Sequence, residues 1–143
     1  MTLRAECQGR LEDIPALSAA VEAFCLDHGV EARTAHKLVL GLEELLTNLA
    51  VHGAAADPLG SPPAESVHTV MVVVSLEDSK LVARYQDSGA AFDPLSVPAP
   101  DLDQPVEARP VGGLGLHLLR TLMDEVRYAR VNERNHVTLV LGL

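Results

Sequence analysis

A carboxylate, an amide and an imidazole recur at intervals of four residues near the middle of the chain, at Glu44, Asn48 and His52. In a helix this spacing puts successive side chains one turn apart on a single face. At the rim of a pocket, such a row can supply a general base, a metal ligand and a phosphate contact. The same spacing occurs on solvated helix faces with ordinary side-chain pairs, so it does not identify a site by itself.

A second carboxylate lies on the inward-facing side of a predicted strand. Alternation along the second of two β-branched runs places Asp87 on the same side as Leu81 and Tyr85. Burying an unpaired carboxylate is costly, so Asp87 must accept hydrogen bonds. The donors are either the turn at Ser88 and Gly89 or a ligand group such as an adenine amino group.

Three glycines, Gly112, Gly113 and Gly115, stand immediately before or at the start of a predicted helix. Bare backbone N–H groups and the helix dipole attract phosphate at such a junction. The segment is not a Walker A loop, and it departs from the dinucleotide-binding fingerprint because no strand directly precedes it. Glycine flexibility between a loop and a helix explains the segment equally well when it is taken alone.

Hydrophobic periodicity predicts the elements that would position these residues. Leucines at 38, 42, 45 and 49 form the apolar stripe of a long helix. Strands adjacent in sequence favour an α+β fold, a two-layer α/β sandwich with a mostly antiparallel sheet and helices on one face. The predicted order is a strand at 2–7, a helix from Asp13 to Gly29, a helix from Glu31 to His52, strands at 67–76 and 80–87, a helix from Gly113 to Asp124, and strands at 125–130 and 136–143.

Two segments rich in proline, glycine or alanine, residues 53–66 and 88–112, are predicted to be loops. The second has five prolines and no helical period, and loops of that length commonly have a function. We predict a lid over residues 92–112. Neither an internal repeat nor a second domain is visible, so residues 1–143 are predicted to form a single domain.

Composition excludes several classes of function. A net charge of -9 and a pI near 5.0 disfavour a nucleic-acid partner. No apolar targeting segment is present and no apolar run reaches the ~18 residues of a spanning helix, so we expect a soluble, cytoplasmic protein without a membrane partner. Cys7 and Cys25 are too far apart for a CxxC pair, and the six histidines form no HxxxH or HExxH set.

Together the three segments resemble the ATPase superfamily of gyrase, Hsp90 and the histidine kinases, with its N, G1 and G2 boxes. The matching residues are ELLTN at 44–48, DSGAAFDP at 87–94 and GGLGL at 112–116, in that order, with LMDEV at 122–126. Over residues 30–130 the match is closer to the anti-sigma-factor serine/threonine kinases. The resemblance implies an ATP-dependent protein serine/threonine kinase.

The resemblance also implies cofactors and roles by position, with ATP and Mg²⁺ bound together. Asn48 would bind Mg²⁺ with the phosphates, Glu44 would act as general base on the attacking hydroxyl, and His52 would lie near the phosphates or the lid. Asp87 would accept from the adenine amino group, with Gly89 allowing close approach of the base. The resemblance also places Ala91 and Leu116 among the nucleotide-binding positions, and many members of the superfamily have glycine at the position of Ala91. The backbone amides of Gly113 and Gly115 would face the phosphates.

Arg109 is the only cation between Ser88 and Gly112, in a segment that also carries four carboxylates. A lone positive charge in an acidic lid suits a phosphate. We predict that Arg109 reaches the γ-phosphate when the lid closes; an ion pair with Glu107 is the alternative.

For partners, the resemblance implies a STAS-domain anti-sigma-factor antagonist that is phosphorylated, a sigma factor that is sequestered, and a homodimer. The alternative is a nucleotide-dependent protein-binding module without kinase activity. Glu44 argues against that module, because pure binding needs no base beside a metal ligand. A sensor histidine kinase would need a phosphoacceptor histidine on a helix pair, for which we expect no room in this chain.

Overall fold

The computed structural model describes residues 1–53, 68–96 and 113–143. Within these residues the chain forms a five-stranded antiparallel sheet and three α-helices, which confirms the predicted α+β class. The strands are β1 (Thr2–Cys7), β2 (Val70–Glu77), β3 (Lys80–Asp87), β4 (Glu125–Val131) and β5 (Arg134–Gly142). The helices are α1 (Ile14–Asp27), α2 (Ala32–His52) and α3 (Gly113–Leu122), and 3₁₀ turns occur at Leu11–Asp13 and Pro94–Ser96.

The order of strands across the sheet is β1, β2, β3, β5, β4. Each neighbouring pair is antiparallel, and β5 lies between β3 and β4 although it follows both in the chain. The register of β3 against β5 pairs Asp87 directly with Asn135. This pairing brings two polar residues together at one end of the sheet.

The core lies between one face of the sheet and the apolar stripe of α2. The predicted leucines of that stripe are all buried, as are the alternating apolar residues of the central strands. The β-branched run of β2 suits a strand at the middle of a sheet, because branched side chains pack well on a pleated surface. Buried residues that belong to the strands include Val70, Val72, Val74, Leu81, Ala83, Val137, Leu139 and Leu141.

Both β-hairpins close through two-residue turns in the left-handed conformation. Asp78 and Ser79 have φ of 47° and 61°, and Asn132 and Glu133 have φ of 50° and 62°. Such turns match the twist of the flanking strands. The predicted turn from Asn132 to Asn135 and strand start at 136 are therefore wrong, because the tight turn lets β5 begin at Arg134.

Helix α3 crosses α2 at Gly41. A Cβ atom at Gly41 would lie 3.1 Å from Met123 Cε and 3.3 Å from Leu119 Cδ1. The missing side chain therefore allows the close approach of the two helices. Gly41 lies three residues before Glu44, so this contact brings the C-terminal part of α3 close to the stretch of α2 that carries Glu44.

The two predicted loops lie partly outside the described residues. Of the first, only Gly53 is described. Of the second, residues 88–96 are described, and the remainder, including Arg109, is not. In the three described stretches of the chain, none of the helices is long and apolar enough to cross a membrane.

Truncating the core side of α2 is expected to destabilise the fold. Leu46 is 1% exposed, and Leu46→Ala should lower the free energy of unfolding by about 2–5 kcal/mol, because a buried cavity remains. Urea denaturation measures the change. Val51→Ala, at a position 52% exposed on the same helix, is the matched control and should change stability by less than about 0.5 kcal/mol. Equal losses for both variants would contradict this account of the core.

Candidate functional site

A pocket lies between the C-terminal half of α2 and the turn that follows β3. Its empty volume is about 460 Å³, including space open to solvent. The lining includes Asn48 and His52 from α2, Asp87 from β3, and Ala91 and Phe92 from the turn. The fold thus brings parts of the first two sequence segments to one pocket although about forty residues separate them in the chain.

Asp87 is buried in this pocket, with 5% of its surface exposed. Its Oδ1 accepts hydrogen bonds from the backbone N–H of Gly89 and from Nδ2 of Asn135, both at 2.9 Å. Its Oδ2 accepts from the hydroxyl of Tyr85 at 2.7 Å. The carboxylate therefore does cap its own turn, one of the two alternatives open from the sequence. Burial, together with the charge of Asp87, raises the pKa of Tyr85 well above its ordinary value, which keeps the hydroxyl protonated as a donor.

The turn after Asp87 is fastened to the end of α2. The backbone N–H of Ala90 donates to the carbonyl of Gly53 at 3.0 Å. A Cβ atom at Gly89 would lie 2.6 Å from Leu49 Cδ1. In this structure the space at Gly89 is thus occupied by a leucine of α2, which explains why glycine suits the position. The helix end and the turn form one packed unit.

Asn135 is a site residue that the sequence reasoning missed. It is 3% exposed, lines the pocket, and donates to Asp87. The sequence did contain a signal for this residue. Asn135 falls on the same face of its strand as the buried Val137 and Leu139, just as Asp87 falls on the same face of its strand as Tyr85. The predicted turn at this position concealed it.

Glu44 lies one helical turn before Asn48 and is half-buried. It is not part of the pocket lining, unlike Asn48 and His52. Burial, and secondarily the charge of Glu43, raises the pKa of Glu44 above its ordinary value. Glu43 is held in turn by the hydroxyl of Ser18 on α1, at 2.9 Å. A raised pKa makes a carboxylate a stronger base once it is ionised.

The glycine segment begins a helix, as predicted. Helix α3 starts at Gly113, so Gly113 and Gly115 lie in its first turn, where backbone N–H groups lack partners within the helix. Leu116 also lies in α3. Arg109 lies outside the described residues, so its predicted contact remains a prediction.

The donor set of the pocket fits a magnesium ion that is held mainly by a ligand. In the described parts of the chain, no group of three or more His, Cys, Asp or Glu side chains could hold a metal ion. Mg²⁺ in phosphate-binding sites commonly takes only one or two protein oxygens and completes its shell with phosphates and water. The amide oxygen of Asn48, on the pocket wall, is a ligand of this kind.

A family model described as the histidine kinase-like ATPase domain matches residues 7–141, and the chain belongs to this family. Such a domain binds a nucleotide. The match spans all the described elements except most of β1 and the last residue of β5. It confirms the superfamily inferred from the three boxes.

Two relatives indicate which kind of enzyme within this family the chain resembles. Serine/threonine-protein kinase BtrW of Bordetella bronchiseptica is 35% identical over 119 residues, which are 83% of this chain and 78% of that protein. Serine-protein kinase RsbW of Bacillus cereus is 30% identical over 92 residues, 62% of this chain and 52% of that protein, so the aligned region spans about half of that relative. The chain is accordingly a protein kinase related to BtrW and RsbW.

A solved structure carries the same fold. The crystal structure of the RsbU and RsbW domains of Rv1364c from Mycobacterium tuberculosis matches with a TM-score of 0.68 at 17% sequence identity. The match covers 100% of this chain and 32% of that one. At this identity the likeness supports the architecture of the sheet and helices.

The effect of Glu43 on Glu44 can be measured directly. Glu43→Gln removes a like charge while keeping a group that can accept from Ser18, so the pKa of Glu44 is expected to fall. It should stay above the ordinary value, because burial is the larger cause. Carboxyl ¹³C NMR titration gives the pKa of Glu44. Glu31→Gln, at an exposed position before α2, is the control and should leave that pKa unchanged; the same shift in both variants would contradict the local cause.

Proposed function

We propose that this kinase is an anti-sigma factor that binds Mg-ATP and phosphorylates a serine or threonine of a STAS-domain antagonist. When the antagonist is absent, the kinase sequesters a sigma factor. The observation that carries the proposal is the arrangement of Glu44 and Asn48 on one face of α2, beside the pocket in which Asp87 is buried. This arrangement offers a base, a metal ligand and an adenine acceptor within one site.

The adenine end of the nucleotide is assigned to Asp87. A carboxylate oxygen can accept two hydrogen bonds, and Oδ2 receives one from Tyr85. The exocyclic amino group of adenine supplies the donor for the other position. Apolar contacts from Leu45, Phe92 and Val137 in the pocket wall suit the faces and edge of a purine.

The phosphate end of the nucleotide is assigned to Asn48 and His52, near the C-terminus of α2, and to the start of α3. Asn48 would hold Mg²⁺ through its amide oxygen, and the ion supplies charge neutralisation of the phosphates when it is bound. His52, exposed at the pocket wall, would lie near the phosphates or the lid. Gly113 and Gly115 would donate backbone N–H groups to phosphate oxygens.

In the proposed transfer, Glu44 is the general base. Its carboxylate accepts the proton of the substrate hydroxyl while the hydroxyl oxygen bonds to the γ-phosphorus and the bond to the β–γ bridging oxygen breaks. The products are ADP and a phosphorylated side chain, and no covalent enzyme intermediate is formed. Because the pKa of Glu44 is raised, the base would be lost by protonation at a higher pH than for an ordinary glutamate.

The names of the relatives support partner proteins in general, and the particular partners are part of the proposal. BtrW and RsbW are named as protein kinases, and the Mycobacterium tuberculosis structure combines an RsbU with an RsbW domain. A cytoplasmic homodimer is part of the proposal, and a groove between β1 and α1 offers apolar surface at Ala5, Ala16 and Ala20. The acidic net charge fits a protein partner better than a nucleic acid.

The decisive experiment separates the kinase from a nucleotide-dependent binding module. Purified protein is incubated with γ-labelled Mg-ATP and a candidate STAS-domain antagonist from the same genome. Glu44→Gln should reduce label transfer by about 10²–10⁴-fold with ATP affinity retained, because only the base is removed. Glu43→Gln keeps the Glu44 carboxylate, so it is the neighbouring control and should reduce transfer far less than Glu44→Gln does. ATP binding without transfer in the wild type would favour the binding module.

Arg109 is proposed to contact the γ-phosphate from the lid. Arg109→Ala should weaken ATP binding and slow transfer by about tenfold or more, while ADP affinity changes little, because the contact is specific to the γ-phosphate. Calorimetric titration with ATP and ADP provides the comparison, and Glu107→Ala tests the alternative ion pair. Unchanged ATP affinity and transfer rate in Arg109→Ala would remove Arg109 from the site.

A further inference from the structure

Asn135 is a buried amide whose hydrogen-bonding positions are all occupied. Its two Nδ2 hydrogens point to Asp87 Oδ1 at 2.9 Å and to the carbonyl of Ala90 at 2.8 Å. Its Oδ1 accepts from the backbone N–H of Phe92 at 3.1 Å and from the hydroxyl of Tyr128 at 2.7 Å. An amide offers two donors and two acceptor positions, so none remains for a ligand.

These partners fix the orientation of the amide. In the opposite orientation, the side-chain oxygen would face the Asp87 carboxylate and the Ala90 carbonyl, which are both acceptors. The nitrogen would at the same time face the N–H of Phe92, a donor. Buried polar groups left without partners in this way are costly. Asn135 therefore presents a donor to Asp87 in one defined direction.

Hydrogen bonds within the protein occupy most of the acceptor positions of Asp87. Gly89 and Asn135 fill the two positions of Oδ1, and Tyr85 fills one of the two on Oδ2. Among the described residues no further donor reaches the carboxylate, so it lines the pocket with one acceptor position open. One open acceptor suits a ligand edge that offers one N–H at this point.

We propose that Asn135 is a positioning residue that sets the base selectivity of the pocket for a 6-aminopurine. It does so by filling Asp87 Oδ1 and by holding the turn through Ala90 and Phe92. Guanine would present its O6 acceptor to the same carboxylate and is therefore disfavoured. This inference rests on the proposed ATP site, to which it adds the residue that fixes the acceptor.

Two substitutions remove the donor in different ways. Asn135→Asp keeps the size and the acceptor toward Phe92 and Tyr128, but it sets a carboxylate against Asp87. Asn135→Ala removes the whole amide. Tyr128→Phe is the matched control, because it deletes one hydrogen bond of Asn135 and leaves the link to Asp87 in place. Thermal unfolding identifies which variants fold, and either folded Asn135 variant is sufficient for the test.

The test compares ATP with purine riboside triphosphate, which lacks the 6-amino group. Calorimetry with Mg²⁺ present gives the Kd of each ligand, and the measured quantity is the ratio of the Kd for purine riboside triphosphate to the Kd for ATP. GTP is titrated in parallel. In the wild type the ratio should be about tenfold or more, with GTP weaker than ATP. In a folded Asn135 variant the ratio should fall at least fivefold, and Tyr128→Phe should retain it. A general loss of structure would weaken both ligands alike and leave the ratio unchanged.

Asp87→Asn separates failure of this inference from failure of the proposed site. If Asp87→Asn abolishes the preference for ATP and the folded Asn135 variants retain it, the role of Asn135 is overturned and the adenine site stands. If the wild type has no preference, or Asp87→Asn retains the preference, the adenine site itself is wrong and the inference fails with it.

Discussion

The buried carboxylate of Asp87 is the constraint on which the rest of the site depends. Its charge lies almost fully away from water, and no cation is among its hydrogen-bond donors in the described residues. Neutral donors must therefore compensate the lost hydration, and they come from three places: β3 itself, the following turn and β5. The register of β3 with β5 and the shape of the turn are both required to satisfy one side chain.

The same requirement joins the two halves of the pocket. The turn that caps Asp87 is also bonded to the end of α2, because the backbone N–H of Ala90 donates to the carbonyl of Gly53, the residue that follows the helix. Leu49 occupies the space that a side chain at Gly89 would fill. Because these contacts are made within the protein, the wall bearing Asn48 and the wall bearing Asp87 are held in place before a ligand arrives. Such preorganisation lowers the cost of binding.

Local patterns predicted most of the fold, and they predicted the burial of Asp87. The leucine stripe of α2 and the alternation in β2 and β3 depend on near neighbours, so periodicity was sufficient. Asn135 was missed because its role depends on pairing with a residue 48 positions earlier, and because a polar run beside a turn hides a strand start. The packing of Leu49 at Gly89 likewise depends on tertiary structure. The roles assigned to Arg109 and Glu44 concern a bound nucleotide and stay predictions.

The position of β5 in the sheet bears on the order in which the site is assembled during synthesis. β5 follows every other described element in the chain, yet it lies between β3 and β4. A nascent chain that already has α2 and the turn after β3 still lacks the amide donor for Asp87, and the inner edge of β3 is unpaired. Exposed strand edges at that stage are prone to misassociation. The hydrogen-bond set of Asp87 is therefore complete only once β5 has paired with β3, so the last described strand finishes this wall of the pocket.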